Sequence, residues 1–320
     1  MRKIAILHNG GGWITNIGNA FLDYGTMAFI RQVYPDSEIY LTSVLNRWIS
    51  FYIKKYSIRR RKISNTFNAQ YHSKVDFVTQ AGAFLGKQWI SIHGDIFLKL
   101  KEKGIKLIIC GGGMTDGAYD NDEEIEIARK WLKDIKPYVF ISRDEKSFKN
   151  FKDIAEYSYN GIDCAFFIND FYKPITFYNS GDYIVLNFDK RPEPTIKELG
   201  IQENENIVRV HHSFWHNFPF FLYPKMKKYY YDYPNTMISE LPEDYLNIYA
   251  NAKATYSDRV HACVVSLAYG TPARLFSNTP RSLLMERINA KYITQKLTRP
   301  NTKKIEAEKR KQIKFLSEII

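Results

Sequence analysis

The stretch ATYSDRVHACVVSLAYGTPARLF, residues 254–276, contains the pattern that decides the fold. Its first four residues predict a strand, and the polar Asp-Arg that follows opens a strongly apolar helix at 259–268. Gly270 and Pro272 end that helix, and a second strand is predicted at 273–276. A strand, a helix and a strand in this order form a βαβ unit, in which the two strands lie parallel in one sheet.

The same alternation of strands and helices runs through the rest of the chain. Further strands are predicted at 3–7, 38–41, 75–78, 106–110, 138–142, 183–188 and 207–211. Further helices are predicted at 20–33, 91–103, 123–135, 145–151, 195–199 and 242–250, with a charged amphipathic helix at 303–320. This alternation favours an α/β fold with parallel sheets. The two series of elements join near residues 168–182, so the sequence predicts two α/β halves.

The composition excludes several classes of protein. The 320 residues are 45% hydrophobic and 25% charged, which is typical of a globular chain. No apolar run approaches the ~20 residues that cross a bilayer, and the apolar part of the N-terminus, residues 4–7, is too short for a secretion signal. We therefore expect a cytoplasmic protein.

The three cysteines lie in apolar runs and predict buried thiols, without a disulfide or a zinc site: Cys110, Cys164 and Cys263.

The chain is strongly basic. Lys and Arg number 46 against 34 Asp and Glu, which gives a net charge of +12. Such a charge attracts phosphorylated metabolites, nucleic acid or an anionic membrane face, although a solvated basic surface is an equally good explanation. The densest basic cluster, residues 54–62, lacks the spacing of a zinc finger and the aromatic pattern of an RNA-binding sheet, so we expect no nucleic-acid partner.

Two glycine-rich stretches follow predicted strands, where ligands bind in doubly wound sheets. Gly10-Gly11-Gly12 leads into Asn16-Ile17-Gly18-Asn19 at the start of a helix, and Gly111-Gly112-Gly113 follows the strand at 106–110. Glycines allow a ligand to approach the backbone closely. The first stretch lacks the GxGxxG spacing of dinucleotide sites and fits a tight turn equally well. Three consecutive glycines cost chain entropy, so the second stretch favours a ligand-facing role.

Two arginines stand at similar places in the pattern. Arg143 and Arg259 each follow a predicted strand and open a helix, and His261 falls in the first turn of the second helix. A guanidinium beside the free N–H groups of a helix N-terminus forms an anion site. The alternatives are a salt bridge that stabilises the fold for each arginine, and a local hydrogen bond for His261.

Residues 254–273 resemble the C-terminal motif of the polysaccharide pyruvyl transferase family, in which an apolar strand is followed by R-L-H-A, an apolar helix and G-x-P. Further stretches resemble the family in the same order: 16–19 its N-x-G-D/N, 107–113 its apolar strand into glycines, 142–147 its R-D-x-x-S and 161–166 its P-D-P-A-F. Several positions depart from the family pattern: Val260 replaces Leu, Ile162 and Cys164 replace two prolines, and Arg281 stands roughly where a Lys often occurs. Asn19 replaces a frequent Asp, which leaves an acid or base role at that position open.

The resemblance implies a GT-B-like pair of Rossmann-like domains facing a cleft. Residues 1–172 would form the acceptor side, residues 173–300 the phosphoenolpyruvate side, and residues 301–320 a C-terminal helix. The implied reaction moves pyruvate from phosphoenolpyruvate to two hydroxyls of a sugar, in a cell-surface glycan or its lipid-linked precursor, and leaves a cyclic ketal. The scheme needs no cofactor other than this donor substrate, and no metal.

The resemblance also implies roles for particular residues. His261 would be the catalytic acid that protonates the enol. The residues expected to bind phosphoenolpyruvate are Arg259, Val260, Arg143 and Arg281. The residues expected at the acceptor or the cleft are Gly12, Asn16, Asn19, Gly112, Gly113, His212 and His216.

Aromatic and basic residues after the strand at 207–211 suggest further contacts. The cluster at 211–216 contains three histidines and a tryptophan that are suited to hold a sugar ring, or it is a loop packed on the apolar patch at 218–223. The basic residues of 225–228, beside the tyrosines of 229–233, suggest an acceptor on a lipid phosphate and a peripheral contact with the inner face of the cell membrane.

Two other functions fit the same fold. A GT-B glycosyltransferase that uses a nucleotide sugar would need a carboxylate for the ribose, and Glu286 is available for that role. A binding or scaffold protein would need no catalytic groups, and the presence of both Arg259 and His261 argues against it. The sequence predicts no oligomeric state.

Overall fold

The computed structural model describes residues 1–8, 13, 16–43, 74–212, 233–277 and 279–319. The chain forms two compact units. Unit 1 comprises Met1–Gly12, Thr26–Cys164 and Arg310–Ile320, and unit 2 comprises Trp13–Gly25 and Ala165–Lys309.

Unit 1 is built on a six-stranded parallel sheet. Its strands are β1 Lys3–His8, β2 Glu38–Ser43, β3 Phe77–Leu85, β4 Lys106–Met114, β5 Val139–Ser142 and β6 Tyr157–Asn160, in the order β2-β1-β3-β4-β5-β6. The helices that accompany them are α1 Gly18–Val33, α2 Lys87–Glu102, α3 Asp122–Ile135 and α4 Glu145–Phe151. Asn121 and Asp144 begin α3 and α4, because each side chain accepts a hydrogen bond from a backbone N–H in the first turn.

The three consecutive glycines lie inside β4, whereas the sequence predicted that this strand ends before them at residue 110. Gly111 adopts a φ of 64°, and the register with the neighbouring strands shifts around it. A Cβ on Gly112 would lie 2.3 Å from Ile109 Cγ2, and a Cβ on Gly113 would lie 2.5 Å from Arg143 Nε. Close packing within unit 1 therefore accounts for the small residues at Gly112 and Gly113, and the strand continues past its predicted end.

Unit 2 contains a five-stranded parallel sheet with Rossmann-like strand order. Its strands are β7 Tyr183–Asn187, β8 Asn206–Val210, β9 Thr236–Met237, β10 Ala254–Ser257 and β11 Ala273–Leu275, in the order β11-β10-β7-β8-β9. Its helices are α5 Ile168–Phe171, α6 Ile196–Leu199, α7 Pro242–Asn251, α8 Val260–Ala268 and the first part of α9 Thr302–Ile319. The strand order reverses between β7 and β10, and this is where doubly wound sheets bind ligands.

The second unit begins earlier than the predicted boundary at 172/173 and also takes in residues 13–25. Tyr24 connects that segment to the rest of unit 2. Its hydroxyl donates a hydrogen bond to Glu243 Oε1 at 2.8 Å, and its ring stacks on Phe171 with the centroids 4.3 Å apart. The start of α1 therefore belongs to the second unit. A single domain boundary along the chain cannot predict this, because the segment lies near the N-terminus.

The C-terminal helix predicted at 301–320 is present as α9 Thr302–Ile319, and it is divided between the two units. Up to Lys309 it belongs to unit 2, where Lys309 Nζ pairs with Asp170 Oδ2 at 2.6 Å. From the next residue it belongs to unit 1, where Gln312 Oε1 accepts a hydrogen bond from the backbone N–H of Ile162 at 2.8 Å. Each part of the helix is thus held by contacts within its own unit.

Three further properties bear on function. Among the described residues, no helix is long and apolar enough to cross a membrane. The same residues contain no group of three or more His, Cys, Asp or Glu side chains placed to hold a metal ion. All three cysteines are buried and free, as predicted, and burial raises the pKa of the Cys110 and Cys263 thiols.

Candidate active site

The carboxyl ends of β7 and β10 meet where the strand order of unit 2 reverses. Their last residues, Asn187 and Ser257, are in register, and Ser257 Oγ donates to Asn187 Oδ1 at 2.9 Å. Asn187 Nδ2 in turn donates to the carbonyl of Val210 at the end of β8, at 2.8 Å. These bonds fix the loops that follow β7, β8 and β10 relative to one another.

Asp258 orders the loop after β7. Its carboxylate accepts hydrogen bonds from three consecutive backbone N–H groups, those of Asp189 at 3.2 Å, Lys190 at 2.7 Å and Arg191 at 3.0 Å. Burial raises the pKa of Asp258, and the hydrogen bonds from the loop oppose that rise. The carboxylate therefore sets the path of the loop and, with it, the position of Lys190.

Asp189 is a buried counterion at the centre of the site. It accepts hydrogen bonds from Arg259 Nε at 2.9 Å and from the backbone N–H of His212 at 3.0 Å, and His211 Nδ1 lies 3.0 Å from its other oxygen. Burial opposes ionisation, but the hydrogen bond from His211 and the charge of Arg259 hold the pKa of Asp189 well below its usual range. Asp189 is consequently charged at neutral pH.

Arg259 stands at the N-terminus of α8 as its N-cap residue. Its side chain is 10% exposed, and Nε is engaged by Asp189. Nη2 is buried and donates a hydrogen bond to no described residue. The guanidinium therefore has one edge neutralised by a carboxylate and another able to bind an oxyanion, at the positive end of a helix.

His261 follows in the first turn of α8 and packs against Gly18 of the N-terminal segment. A Cβ on Gly18 would lie 3.2 Å from Asn16 Oδ1 and from the Cβ and the Nδ1 of His261, so any other side chain would require one of these neighbours to move. The Gly18 N–H donates to Asn16 Oδ1 at 3.2 Å, and Ile17 N–H donates to the His212 carbonyl at 2.9 Å. These contacts place the Asn16–Asn19 motif next to the R-x-H motif within unit 2.

His212 is buried and is neutral at physiological pH. Its Nε2 lies 2.6 Å from the hydroxyl of Tyr249, and its ring packs edge-on against Phe21 and Tyr245. Burial lowers the pKa of His212 to about 3. The side chain is therefore a neutral hydrogen-bonding group in this site.

These groups line a small, basic pocket in unit 2. The residues that line it come from the N-terminal segment and from the ends of β7, β8, β10 and β11: Asn16, Lys190, His212, Asp258, Arg259, Val260, His261, Ser277, Thr279 and Arg281. Because the carboxylates of Asp189 and Asp258 are buried and hydrogen-bonded, the pocket is suited to an anionic ligand.

Comparison with protein families identifies the chain. A model of the polysaccharide pyruvyl transferase family matches residues 16–280. The chain belongs to this family. It is accordingly a transferase of polysaccharide biosynthesis. A comparison of the sequence with curated proteins finds no match.

Solved structures of sugar-nucleotide enzymes share the fold of this pyruvyl transferase family member. UDP-bound MnaA from S. aureus is 12% identical, with a TM-score of 0.53 over 99% of this chain and 91% of that chain. A UDP-N-acetylglucosamine 2-epimerase from Rickettsia bellii is 14% identical, with a TM-score of 0.51 over 98% of this chain and 96% of that chain. At these identities the likeness shows the fold alone, which is the GT-B-like α/β fold that the sequence implied.

The structure brings together six of the predicted site residues of this pyruvyl transferase family member: Asn16, His212, Arg259, Val260, His261 and Arg281. Asn19 lies next to them, with its Oδ1 accepting a hydrogen bond from Asn16 Nδ2 at 3.4 Å. Gly12, His216 and the residues of 225–232 lie outside the described residues. Glu286, named for the glycosyltransferase alternative, is exposed in the 3-10 segment Pro280–Ile288 and does not line the pocket.

Arg143, like Gly112 and Gly113, belongs to unit 1. Its side chain is 1% exposed, and Nη1 lies 3.4 Å from Asp163 Oδ2. Nε and Nη2 donate hydrogen bonds to no described residue. A contact between Arg143 and the donor therefore stays a prediction.

No sequence pattern pointed to Asp189, Lys190, Ser277 or Thr279, and none indicated a role for Asp258. All five follow the carboxyl ends of β7, β10 and β11. Because ligands bind at the carboxyl ends of strands in doubly wound sheets, the principle that pointed to Arg259 also points to these residues. What the sequence did not show is that Asp189 and Asp258 turn their carboxylates inward, onto Arg259 and the backbone.

Proposed function

We propose that this protein transfers pyruvate from phosphoenolpyruvate to two hydroxyls of one sugar and forms a cyclic ketal. The acceptor is a cell-surface glycan or its lipid-linked precursor. The observation that carries the proposal is the environment of Arg259, whose buried Nη2 donates to no described residue at a helix N-terminus two residues before His261. Membership of the pyruvyl transferase family supports the same reaction.

The pocket suits the charges of the donor. Phosphoenolpyruvate carries a phosphate and a carboxylate, which need at least two fixed cations. Arg259, Lys190 and Arg281 line one pocket, and the first N–H groups of α8 add partial positive charge there. In this proposal Arg259 binds the phosphate, and the other two cations share the remaining negative charge.

The reaction needs one acid and two sugar hydroxyls. His261, as imidazolium, gives its proton to the methylene carbon of the donor, the central carbon becomes cationic, and the first hydroxyl oxygen attacks it. The proton of that hydroxyl returns to the imidazole. The second hydroxyl then displaces phosphate from the same carbon, and its proton leaves with the phosphate. The products are the ketal and inorganic phosphate, with no net oxidation or reduction.

The N-terminal segment positions the imidazole of His261. Gly18 places the Asn16 loop against the imidazole, which fixes the ring in one orientation.

The acceptor would meet neutral hydrogen-bonding groups. Asn16 offers an amide, and His212 is a buried neutral imidazole at the same pocket. Neutral donors and acceptors suit sugar hydroxyls and do not compete with the cations for the phosphate. We place the reaction in the cytoplasm, where phosphoenolpyruvate is available, and the scheme requires no cofactor.

Transfer of label tests the proposal. Phosphoenolpyruvate labelled with carbon-13 in the pyruvyl carbons is incubated with the protein and with the glycan fraction of the source cells. We expect label in a glycan, bound as a ketal, and one phosphate released for each pyruvate transferred. His261→Asn should abolish transfer while donor binding is retained. Free pyruvate as the only labelled product, or full transfer by His261→Asn, would overturn the assignment.

A further inference from the structure

One surface of unit 2 has a composition that the reaction does not explain. Between Glu286 and Glu306 the chain contains six basic residues and no acidic residue. Two of the six, Arg287 and Lys304, are paired with Glu308, at 2.6 and 3.0 Å. The other four form no ion pair with any described residue: Lys291, Lys296, Arg299 and Lys303.

The loop of residues 291–299 is held firmly on the edge of the sheet. Thr298 and Ala273 of β11 exchange backbone hydrogen bonds of 2.8 and 3.0 Å. Leu275 N–H donates to the carbonyl of Ile293 at 2.9 Å, and the Ile293 side chain is fully buried. The 291–299 loop therefore has a defined inner side, and the residues on its outer side are presented to solvent in a fixed arrangement.

The outer side of the 291–299 loop combines positive charge with apolar surface. Tyr292 is 47% exposed and Leu297 is 39% exposed. The ammonium groups of Lys291 and Lys296 lie 4.8 and 5.7 Å from the centroid of the Tyr292 ring. Lysines around an exposed aromatic ring, with an exposed leucine beside them, form the combination that binds at an anionic bilayer surface.

We propose that the 291–299 loop binds the surface of an anionic membrane. Lys291, Lys296 and Arg299 would contact lipid phosphates, and Tyr292 and Leu297 would enter the headgroup region. An exposed leucine argues for lipid over nucleic acid, because a phosphodiester backbone offers no apolar contact to it. The surface differs from the 225–233 segment considered from sequence, and the proposal is independent of the reaction catalysed.

Vesicle sedimentation tests the proposal with the full-length protein. Vesicles of phosphatidylcholine alone are compared with vesicles in which about one lipid in three is phosphatidylglycerol. We expect binding to the anionic vesicles only, weakening as NaCl rises from roughly 0.1 to 0.5 M because salt screens exposed charges. The double variant Lys291→Glu/Lys296→Glu should bind at least about tenfold more weakly.

Two further double variants make the result specific to this loop. Lys130→Glu/Lys152→Glu changes two exposed lysines of unit 1, and so alters the net charge equally; we expect it to bind like the wild type. Tyr292→Ala/Leu297→Ala keeps every charge and should still weaken binding several-fold. Thermal unfolding confirms that each variant is folded.

The proposal is overturned if the wild type does not bind anionic vesicles, or if the loop variants bind them as tightly as the wild type. It is overturned as well if the unit 1 variant loses as much binding as the lysine variant of the loop, since net charge alone would then explain the effect. Loop-dependent binding to a DNA duplex without binding to vesicles would assign the surface to a nucleic acid instead.

Discussion

Arg259 Nε and Asp189 Oδ2 lie 2.9 Å apart in a pair whose side chains are 10% and 3% exposed. The pair joins the ends of β7 and β10, the two strands between which the strand order of unit 2 reverses. Because Asp189 also engages His211 and the backbone of His212, it fixes the guanidinium against a rigid frame. An anion that binds Arg259 therefore meets a cation already in place.

Removal of the Asp189 charge should cost stability and reveal coupling to Arg259. Asp189→Asn leaves the buried guanidinium without its nearest counterion, since Asp258 Oδ1 lies 4.0 Å away, and we expect a loss of about 3 kcal/mol in the free energy of unfolding. The double variant Asp189→Asn/Arg259→Met no longer contains the unpaired buried charge. The free energy of unfolding that the double variant loses should therefore be smaller, by about 2 kcal/mol, than the sum of the losses in the two single variants. Urea unfolding of the four proteins measures this coupling, and strict additivity would refute it.

His212 should make the fold sensitive to mild acid. Its pKa of about 3 in the folded state lies below the ordinary value near 6.5, so between these values the unfolded chain binds a proton that the folded protein does not. Stability should therefore fall as the pH drops below about 6.5, by up to ~1.4 kcal/mol per pH unit from this group.

His212→Gln isolates that contribution. Urea unfolding at pH values between about 4.5 and 6 avoids the titration of Asp189, which lies lower. The slope of the unfolding free energy against pH should be shallower in His212→Gln than in the wild type. Equal slopes would show that His212 is protonated in the folded protein.

Gly18→Ala should impair donor binding while the fold is kept. The new methyl would lie 3.2 Å from His261 Cβ and Nδ1, so the imidazole or the Asn16 loop must move by a few tenths of an ångström. We expect the affinity for phosphoenolpyruvate to fall by about tenfold, since small displacements in a preorganised site are costly. Gly117→Ala is the control, because its Cβ would meet no atom within 4 Å. Unchanged affinity in Gly18→Ala would mean that this contact does not position the site.

The sequence predicted the α/β fold well because each strand and helix carries its own local pattern. The stretch at 254–276 folds as predicted into β10, α8 and β11. Arg259 and His261 lie, as predicted, at the start of the helix that follows β10. The predicted strand at 106–110 stopped short of the glycines of 111–113 because a glycine run has no apolar pattern. These glycines continue β4, and Gly112 and Gly113 leave space for the side chains of Ile109 and Arg143.

Other features depend on contacts that are distant in sequence. Asp189 follows its strand as an ordinary polar residue, and only the pairing of β7 with β10 puts its carboxylate beside Arg259, 70 residues later. The division of α9 between the units likewise rests on Lys309 in one and Gln312 in the other. No local pattern encodes which partner such a side chain meets.

Calorimetric titration with phosphoenolpyruvate tests the central claim most directly. We predict saturable binding by the wild type, weakened at least about tenfold in Arg259→Ala because charge-assisted hydrogen bonds to the donor are lost. Arg274→Ala is the matched control. It removes an arginine of β11 that stacks on Phe276 and does not line the pocket. Equal binding by the wild type and Arg259→Ala would contradict the account, as would binding of UDP in the absence of any binding of phosphoenolpyruvate.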